Sequence, residues 1–217
     1  MSFDFRESTA LFGGSFHPPH LAHHQAIQGL FKNPGVKRVI LLPSFGTPLK
    51  KITVTFDQRM EMAKLAFAQV SSVEISDFEK VNQTQFTWQV LEKISTKVLN
   101  PVFIIGADQF LKLEQWSHFP EVLGMCDWIV LLRKPHTLDS LNPMIKKFVQ
   151  EQVLKPTGND HEFLTFGKRL MLVETVAPEV SSTWIREQIA LNNWDGVKHF
   201  IAPVVKDYIL RNKLYGT

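Results

Sequence analysis

The chain has 217 residues, 44% hydrophobic and 21% charged, with a formal net charge of +3. This length suits one domain with a small extension, and the apolar fraction can build a large core, which excludes wholesale disorder. The charge is mild and forms no dense basic block, which argues against a nucleic-acid surface and leaves attraction on the scale of a phosphate group.

The single cysteine, Cys126, can form no intramolecular disulfide, which fits a reducing cytoplasm. Its apolar neighbours read as those of a buried thiol. The opening "MSFDFRESTALF" has early acidic residues and no long apolar core, so it does not read as a signal peptide. No apolar run reaches the ~18 residues of a membrane span. The expectation is a cytoplasmic protein with neither a membrane nor a nucleic-acid partner; a homo-oligomer is compatible with the sequence.

In chain order, "TALF" (Thr9–Phe12) predicts a buried strand that stops at Gly13-Gly14. His20–Phe31 repeats apolar residues at helical intervals, and Lys37–Pro43 is a second buried strand. Ser44–Thr55 holds glycine, proline and two lysines and reads as an exposed loop. Phe56–Val70 is an amphipathic helix with Asp57 near its positive end. "SSVEISDFE" alternates like a strand, Phe86–Ile94 is helical, and Pro101–Asp108 is a strand ending in glycine, followed by a short helical piece. Asp127–Pro135 is a strand ending in two basic residues. Between His136 and Lys168 the pattern predicts one helix, near Pro143–Val153, and then a loop with Pro156 and Gly158. Arg169–Thr175 is a late strand, and "SSTWIREQIA" and "APVVKDYILRNKL" are the last helices.

Continuous apolar strands alternating with helices predict a parallel sheet buried on both faces, a doubly wound α/β fold. The whole of 1–217 is expected to be one domain, with a C-terminal helical part from about residue 181. Ligands of such sheets bind beyond the carboxyl ends of the strands. The loops after Gly13, Pro43, Gly106 and Arg133 are therefore expected to open onto one cleft.

"GGSFHPPHLAHH" (Gly13–His24) is the most unusual stretch. If a helix starts near Pro19, His20 and His23 share one face of its first turn. A helix N-terminus presents unpaired N–H groups, glycines before it allow close backbone approach, and imidazole N–H groups add directed donors. That combination makes an anion site suited to nucleotide phosphates. A zinc cluster of His17, His20, His23 and His24 is the competing reading, but the stretch has no acidic residue and no His-Glu-x-x-His pattern. His24 is expected to face away from the ligand.

These residues also carry a resemblance. "GGSFHPPHLAH" resembles the first signature of the nucleotidyltransferase superfamily, with Ala22 in place of its usual glycine and His17 where aspartate is common. "FIIGAD" (Phe103–Asp108) and "SSTWIR" (Ser181–Arg186) resemble two signatures of nicotinate or nicotinamide mononucleotide adenylyltransferases, most like the bacterial nicotinate-nucleotide enzymes. Leu49 and Ser117 stand where a histidine and a tyrosine are frequent, both on the pyridine side.

The resemblance implies a Rossmann-like nucleotidyltransferase fold and transfer of AMP from ATP to a pyridine mononucleotide in NAD biosynthesis. Mg²⁺ would accompany ATP, and no protein metal site is expected. Gly13, Gly14, Ser15 and Phe16 would meet ATP phosphates, with His20 and His23 stabilising charge and Arg186 clamping the β- and γ-phosphates. Ser181, Ser182 and Thr183 would open a second anion site, and Gly106 with Asp108 would meet a ribose. Lys50 or Lys51 would neutralise the triphosphate. Thr87 and Trp116 would frame the pyridine, and Arg133 would bind the mononucleotide phosphate. Ser182 also reads as an N-cap, and Trp88 and Trp184 as core residues. The alternatives are another superfamily adenylyltransferase or cytidylyltransferase, with nicotinamide mononucleotide or pantetheine phosphate as acceptor, a non-catalytic nucleotide-binding regulator, and a zinc hydrolase.

Overall fold

A computed structural model describes residues 3–32, 35–46 and 53–217. Its strands are β1 (Thr9–Gly14), β2 (Arg38–Pro43), β3 (Val73–Ile75), β4 (Pro101–Gly106), β5 (Asp127–Leu132), β6 (Lys155–Pro156), β7 (Glu162–Thr165) and β8 (Lys168–Glu174). Its helices are α1 (Leu21–Lys32), α2 (Phe56–Phe67), α3 (Phe78–Val81), α4 (Thr87–Ile94), α5 (Ala107–Phe110), α6 (Leu138–Gln150), α7 (Ser182–Ala190), α8 (Trp194–Val197) and α9 (Pro203–Arg211).

Among the described residues, the strands form one sheet in the order β3-β2-β1-β4-β5-β8-β7-β6. β3 through β8 in that order pair in parallel, whereas β7 pairs antiparallel with both β8 and β6. The sheet is thus doubly wound with an antiparallel hairpin at one edge. The order reverses between β1 and β4, and this places a crevice beyond their carboxyl ends.

The continuous apolar strands follow from burial on both faces. Ala10 and Phe12 of β1, with Val102 and Ile104 of β4, face a layer that includes Ala26, Ile27 and Leu30 of α1. Leu11, Phe103 and Ile105 face the opposite layer, with Val90, Leu91 and Ile94 of α4 and Leu141, Ile145 and Phe148 of α6. Each large apolar side chain so buried contributes roughly 1.5–3 kcal/mol. A third cluster joins Met62 of α2 to Ile185, Ile189, Val205 and Ile209 of the C-terminal helices.

Three expectations need correction. α6 begins at Leu138, not near Pro143, and runs with Pro143 inside it. Pro143 gives up one backbone bond and crowds the carbonyl four residues earlier, and the buried i, i+4, i+7 stripe Leu141–Ile145–Phe148 holds the helix in place against that cost. The alternating stretch around Ser71–Glu79 yields only the three-residue β3 before turning into α3. The loop around Pro156 and Gly158 is the β6–β7 hairpin, in which Pro156 lies on the edge strand where a missing N–H is tolerated.

Candidate active site

A cleft of about 730 Å³ opens at the carboxyl ends of β1, β2, β4 and β5. Gly13, Gly14, Ser15, Ser44, Gly46, Gly106, Asp108 and Arg133 all line it, so the four strand-end loops do converge on one cleft. Its size is in the range of small-molecule and cofactor sites.

The end of β1 needs its glycines for space. A Cβ on Gly13 would lie 3.1 Å from the Phe103 ring, and one on Gly14 would lie 3.1 Å from the Phe16 ring. Phe16 does not line the cleft as expected. It sits at φ 45°, in the left-handed region that a bulky residue rarely adopts. Its side chain is buried, edge-on to Phe12 at 5.9 Å and 5.1 Å from the imidazole of His23. The Phe16 ring thus backs the site.

The four histidines separate. His24 stacks on Phe67, 5.8 Å between centroids, away from the cleft. His17, His20 and His23 line it. His17 packs 5.2 Å from Tyr215, and its Nε2 is 3.3 Å from the Thr53 hydroxyl. His20 immediately precedes α1, and its ring lies 3.8 Å from that of His23. The backbone N–H of His20 donates to Nδ1 of His23 at 3.2 Å, so a neutral His23 carries its proton on Nε2. Nδ1 of His20 is buried and makes no hydrogen bond among the described residues.

Burial, then the nearby Arg133, lowers the pKa of His20 to about 3. Burial, then Arg186 and Arg59, lowers that of His17 to about 4. Both imidazoles are neutral donor–acceptors near pH 7. This arrangement does not gather a zinc set, and among the described residues no three His, Cys, Asp or Glu side chains cluster as one.

The start of α7 closes the phosphate side. Ser181, not Ser182, is the N-cap, its hydroxyl accepting from Trp184 N–H at 3.1 Å. Ser182 Oγ donates to the Pro18 carbonyl at 2.9 Å and ties α7 to the histidine stretch. Arg186 donates to the His17 carbonyl at 2.8 Å and to Thr183 Oγ1 at 3.2 Å. Ser181, Ser182, Thr183 and Arg186 all line the cleft. Trp184, expected in the core, is 37% exposed, with its ring edge against Phe200.

Thr87, Trp116 and Ser117 lie on the cleft wall, as does Arg133, which also donates to the Val180 carbonyl at 3.3 Å. Trp116 both faces the cleft and packs on the core, 6.3 Å from Trp128. Trp88 packs partly on the core and 4.2 Å from His118. Asp108 Oδ2 accepts from Gln109 at 2.9 Å, and a Cβ on Gly106 would come within 2.5 Å of Asp108 Oδ1. Gly106 thus clears the space that the carboxylate occupies. Lys50, Lys51 and Leu49 lie outside the described residues.

Sequence reasoning missed Arg59 and Glu79. Arg59 is buried on α2 and donates to the Ser15 carbonyl at 3.0 Å and the Ser44 carbonyl at 2.8 Å. Glu79 lines the cleft, and burial raises its pKa to about 7 against the opposing effects of the Phe45 N–H and Arg59. A signal for Arg59 was present, because it shares the apolar i, i+3, i+4, i+7 stripe of Phe56, Met60 and Ala63. Chemically, the cleft offers neutral imidazoles, a guanidinium and a helix start around a glycine turn, which suits charge stabilisation on phosphate.

Comparison with known proteins agrees with this geometry. A family model described as cytidylyltransferase-like matches residues 11–188. A probable nicotinate-nucleotide adenylyltransferase of Buchnera aphidicola subsp. Schizaphis graminum is 31% identical, covering 97% of each chain. Another, from Caldicellulosiruptor saccharolyticus, is 29% identical over 95% of this chain and 97% of its own. In structure, the Plasmodium falciparum nicotinic acid mononucleotide adenylyltransferase complexed with NaAD aligns with TM-score 0.76 and 18% identity, covering 96% of this chain and 97% of its own.

Proposed function

From the premise that this chain belongs to the cytidylyltransferase-like family, we propose that it transfers AMP from ATP to nicotinate mononucleotide, forming deamido-NAD and pyrophosphate in NAD biosynthesis. A phosphate oxygen of the mononucleotide attacks the α-phosphorus of ATP. A new P–O bond forms there as the bond to the α,β-bridging oxygen breaks, and pyrophosphate carries away the electron pair. The attacking oxygen is already anionic, so the reaction needs no side-chain nucleophile or general base. Catalysis is positioning and charge stabilisation.

The observation that carries this reading is the convergence of His20, His23 and Arg186 on the Gly13–Ser15 turn, in a cleft whose lining also includes Thr87 and Trp116. The imidazoles donate to oxygens of the α-phosphate and the leaving group. Arg186 keeps part of its fork for the β- and γ-phosphates, and the N-terminus of α7 adds Ser181–Thr183. Asp108 receives a ribose hydroxyl, Thr87 and Trp116 hold the pyridine, and Arg133 meets the mononucleotide phosphate. Lys50, outside the described residues, neutralises the triphosphate.

Mg²⁺ enters with ATP. Among the described lining residues only two carboxylates occur, Glu79 bonded to the Phe45 N–H and Asp108 assigned to a ribose hydroxyl, with one oxygen held by Gln109. The site therefore fits an ion held mainly by phosphate oxygens and water, where it neutralises charge. We place the reaction in the cytoplasm; among the described residues no helix is long and apolar enough to cross a membrane.

The test is a panel of purified protein with ATP or CTP against nicotinate mononucleotide, nicotinamide mononucleotide and pantetheine phosphate, reading pyrophosphate and product. Turnover is expected with ATP and nicotinate mononucleotide. Turnover confined to CTP or to pantetheine phosphate would replace the reading, and nucleotide binding without pyrophosphate release would make the chain a regulator.

A further inference from the structure

We propose that Arg59 and Glu79 are positioning residues that clamp the two ends of one peptide group, the one joining Ser44 to Phe45, and thereby set the acceptor side of the cleft. The inference rests on the proposed adenylyl transfer for its kinetic readout. Arg59 donates to the carbonyl of that peptide at 2.8 Å. Glu79 Oε2 accepts from its N–H at 3.0 Å. A peptide unit is a dipole, negative at oxygen and positive at N–H. The guanidinium and the carboxylate each meet the end they attract, so rotation of the peptide plane breaks both bonds.

Both side chains are buried, Arg59 2% exposed and Glu79 9%, and above about pH 7, where Glu79 ionises, both are charged. Burying either is costly unless it is hydrogen-bonded. The surroundings tighten the arrangement. The Phe45 ring packs edge-on to Phe56 at 5.6 Å, and Arg59 Cζ lies 5.5 Å from the same ring.

The clamp joins two parts of the site. The other guanidinium nitrogen of Arg59 holds the Ser15 carbonyl at 3.0 Å, so one side chain spaces the turn after β1 from the loop after β2. Ser44 and Gly46 line the cleft. Gly46 in turn abuts Gln85, where a Cβ would lie 3.2 Å from Cγ. Gln85 leads directly into α4 and Thr87. Displacing the Ser44–Phe45 peptide therefore moves the wall on which Thr87 sits, whereas the Gly13–Ser15 turn keeps its own hold on Arg59. Ser44 N–H also donates to the Gly14 carbonyl at 2.9 Å, so Glu79, which holds only the Phe45 N–H, bears mainly on the acceptor wall, whereas Arg59 holds both sides directly.

The experiment compares Glu79→Met, Glu79→Gln and Arg59→Lys in the full chain. It measures kcat, the KM of each substrate, thermal melting, and the hydrogen-exchange rate of the Phe45 amide by NMR. Methionine keeps the side-chain length but removes the acceptor, and glutamine keeps an acceptor oxygen. Glu79→Met is expected to raise the KM for nicotinate mononucleotide about tenfold, as for loss of one hydrogen bond to a charged group. The KM for ATP should stay within about twofold. Glu79→Gln should recover most of the loss, and Arg59→Lys should raise both KM values, because one ammonium does not reproduce a fork across two carbonyls. An unchanged mononucleotide KM in a folded Glu79→Met, an equal rise for ATP, or no recovery in Glu79→Gln overturns the clamp. If the wild-type protein makes no dinucleotide, the reaction assignment fails separately and exchange decides. Faster Phe45 exchange in Glu79→Met than in Glu79→Gln supports the clamp, and equal rates overturn it.

Discussion

The imidazoles of His20 and His23 lie 3.8 Å apart with 32° between their planes, and the His20 N–H donates to His23 Nδ1. Two imidazolium rings at that separation would repel, so the pair does not carry two charges, and burial keeps the His20 ring neutral. The first prediction follows. His20→Ala and His23→Ala should each lower kcat by ~10²-fold or more, the usual loss for one preorganised donor. Both should melt within a few degrees of wild type. Steady-state kinetics with circular dichroism checks this, and wild-type turnover in both variants would remove the histidines from the chemistry.

Arg186 has a second duty that its sequence position did not reveal. One guanidinium nitrogen holds the His17 carbonyl, inside the histidine stretch. Arg186→Ala should therefore weaken ATP binding more than mononucleotide binding and also lower kcat. Arg186→Lys should rescue only part of either loss, because lysine lacks the planar fork. Calorimetric titration of each substrate, alongside kcat, tests the split; equal weakening for both substrates would reject the assignment.

The strands were legible because burial on both faces leaves uninterrupted apolar runs such as Val39–Leu42 and Val102–Ile105. The convergence of their loops followed from strand polarity alone. The β6–β7 hairpin was not legible, since Lys155–Pro156 is exposed and too short to show a period. The inward turn of the Phe16 ring was not legible, because it follows from a left-handed backbone at a residue that is not glycine. The role of Glu79 depends on a partner 34 residues earlier, a proximity that no local pattern encodes.

The buried titratable groups set how stability responds to acid. Between about pH 5 and 6, His17 and His20 are neutral when folded but each takes up most of a proton on unfolding. Glu79 does the opposite, holding a proton when folded and releasing it on unfolding. From these three groups the unfolded chain binds one more proton, so stability should rise with pH across this window by ~1.4 kcal/mol per unit. Glu79→Gln removes the opposing group, and the slope should about double. Urea unfolding at a series of pH values measures both slopes; a slope unchanged by Glu79→Gln would contradict the protonated state of Glu79.

The last prediction concerns the acceptor. Backbone N–H groups between Gly106 and Trp116, at a short helix start, are one candidate receptor for a nicotinate carboxylate. The structure commits several of these internally: Lys112 to the Gln109 carbonyl, Gln115 to Lys112 and Trp116 to Leu113, each at 2.9 Å. The first turn of α4 is the better candidate. Its first residue, Thr87, lines the cleft, and the opening N–H groups of a helix have no partner within it. Two such donors and the Thr87 hydroxyl suit a carboxylate. An amide would turn its NH₂ toward a donor and leave both unpaired, so discrimination by several kcal/mol in order of magnitude is attainable. Nicotinate mononucleotide should therefore exceed nicotinamide mononucleotide in kcat/KM by ~10²-fold or more. Thr87→Val should reduce that ratio mainly by lowering the nicotinate value, since the hydroxyl is lost while the backbone donors persist. Both kcat/KM values measured on one batch decide it. A wild-type ratio near one would sink the carboxylate site and leave adenylyl transfer standing, whereas a large ratio untouched by Thr87→Val would move the receptor away from α4.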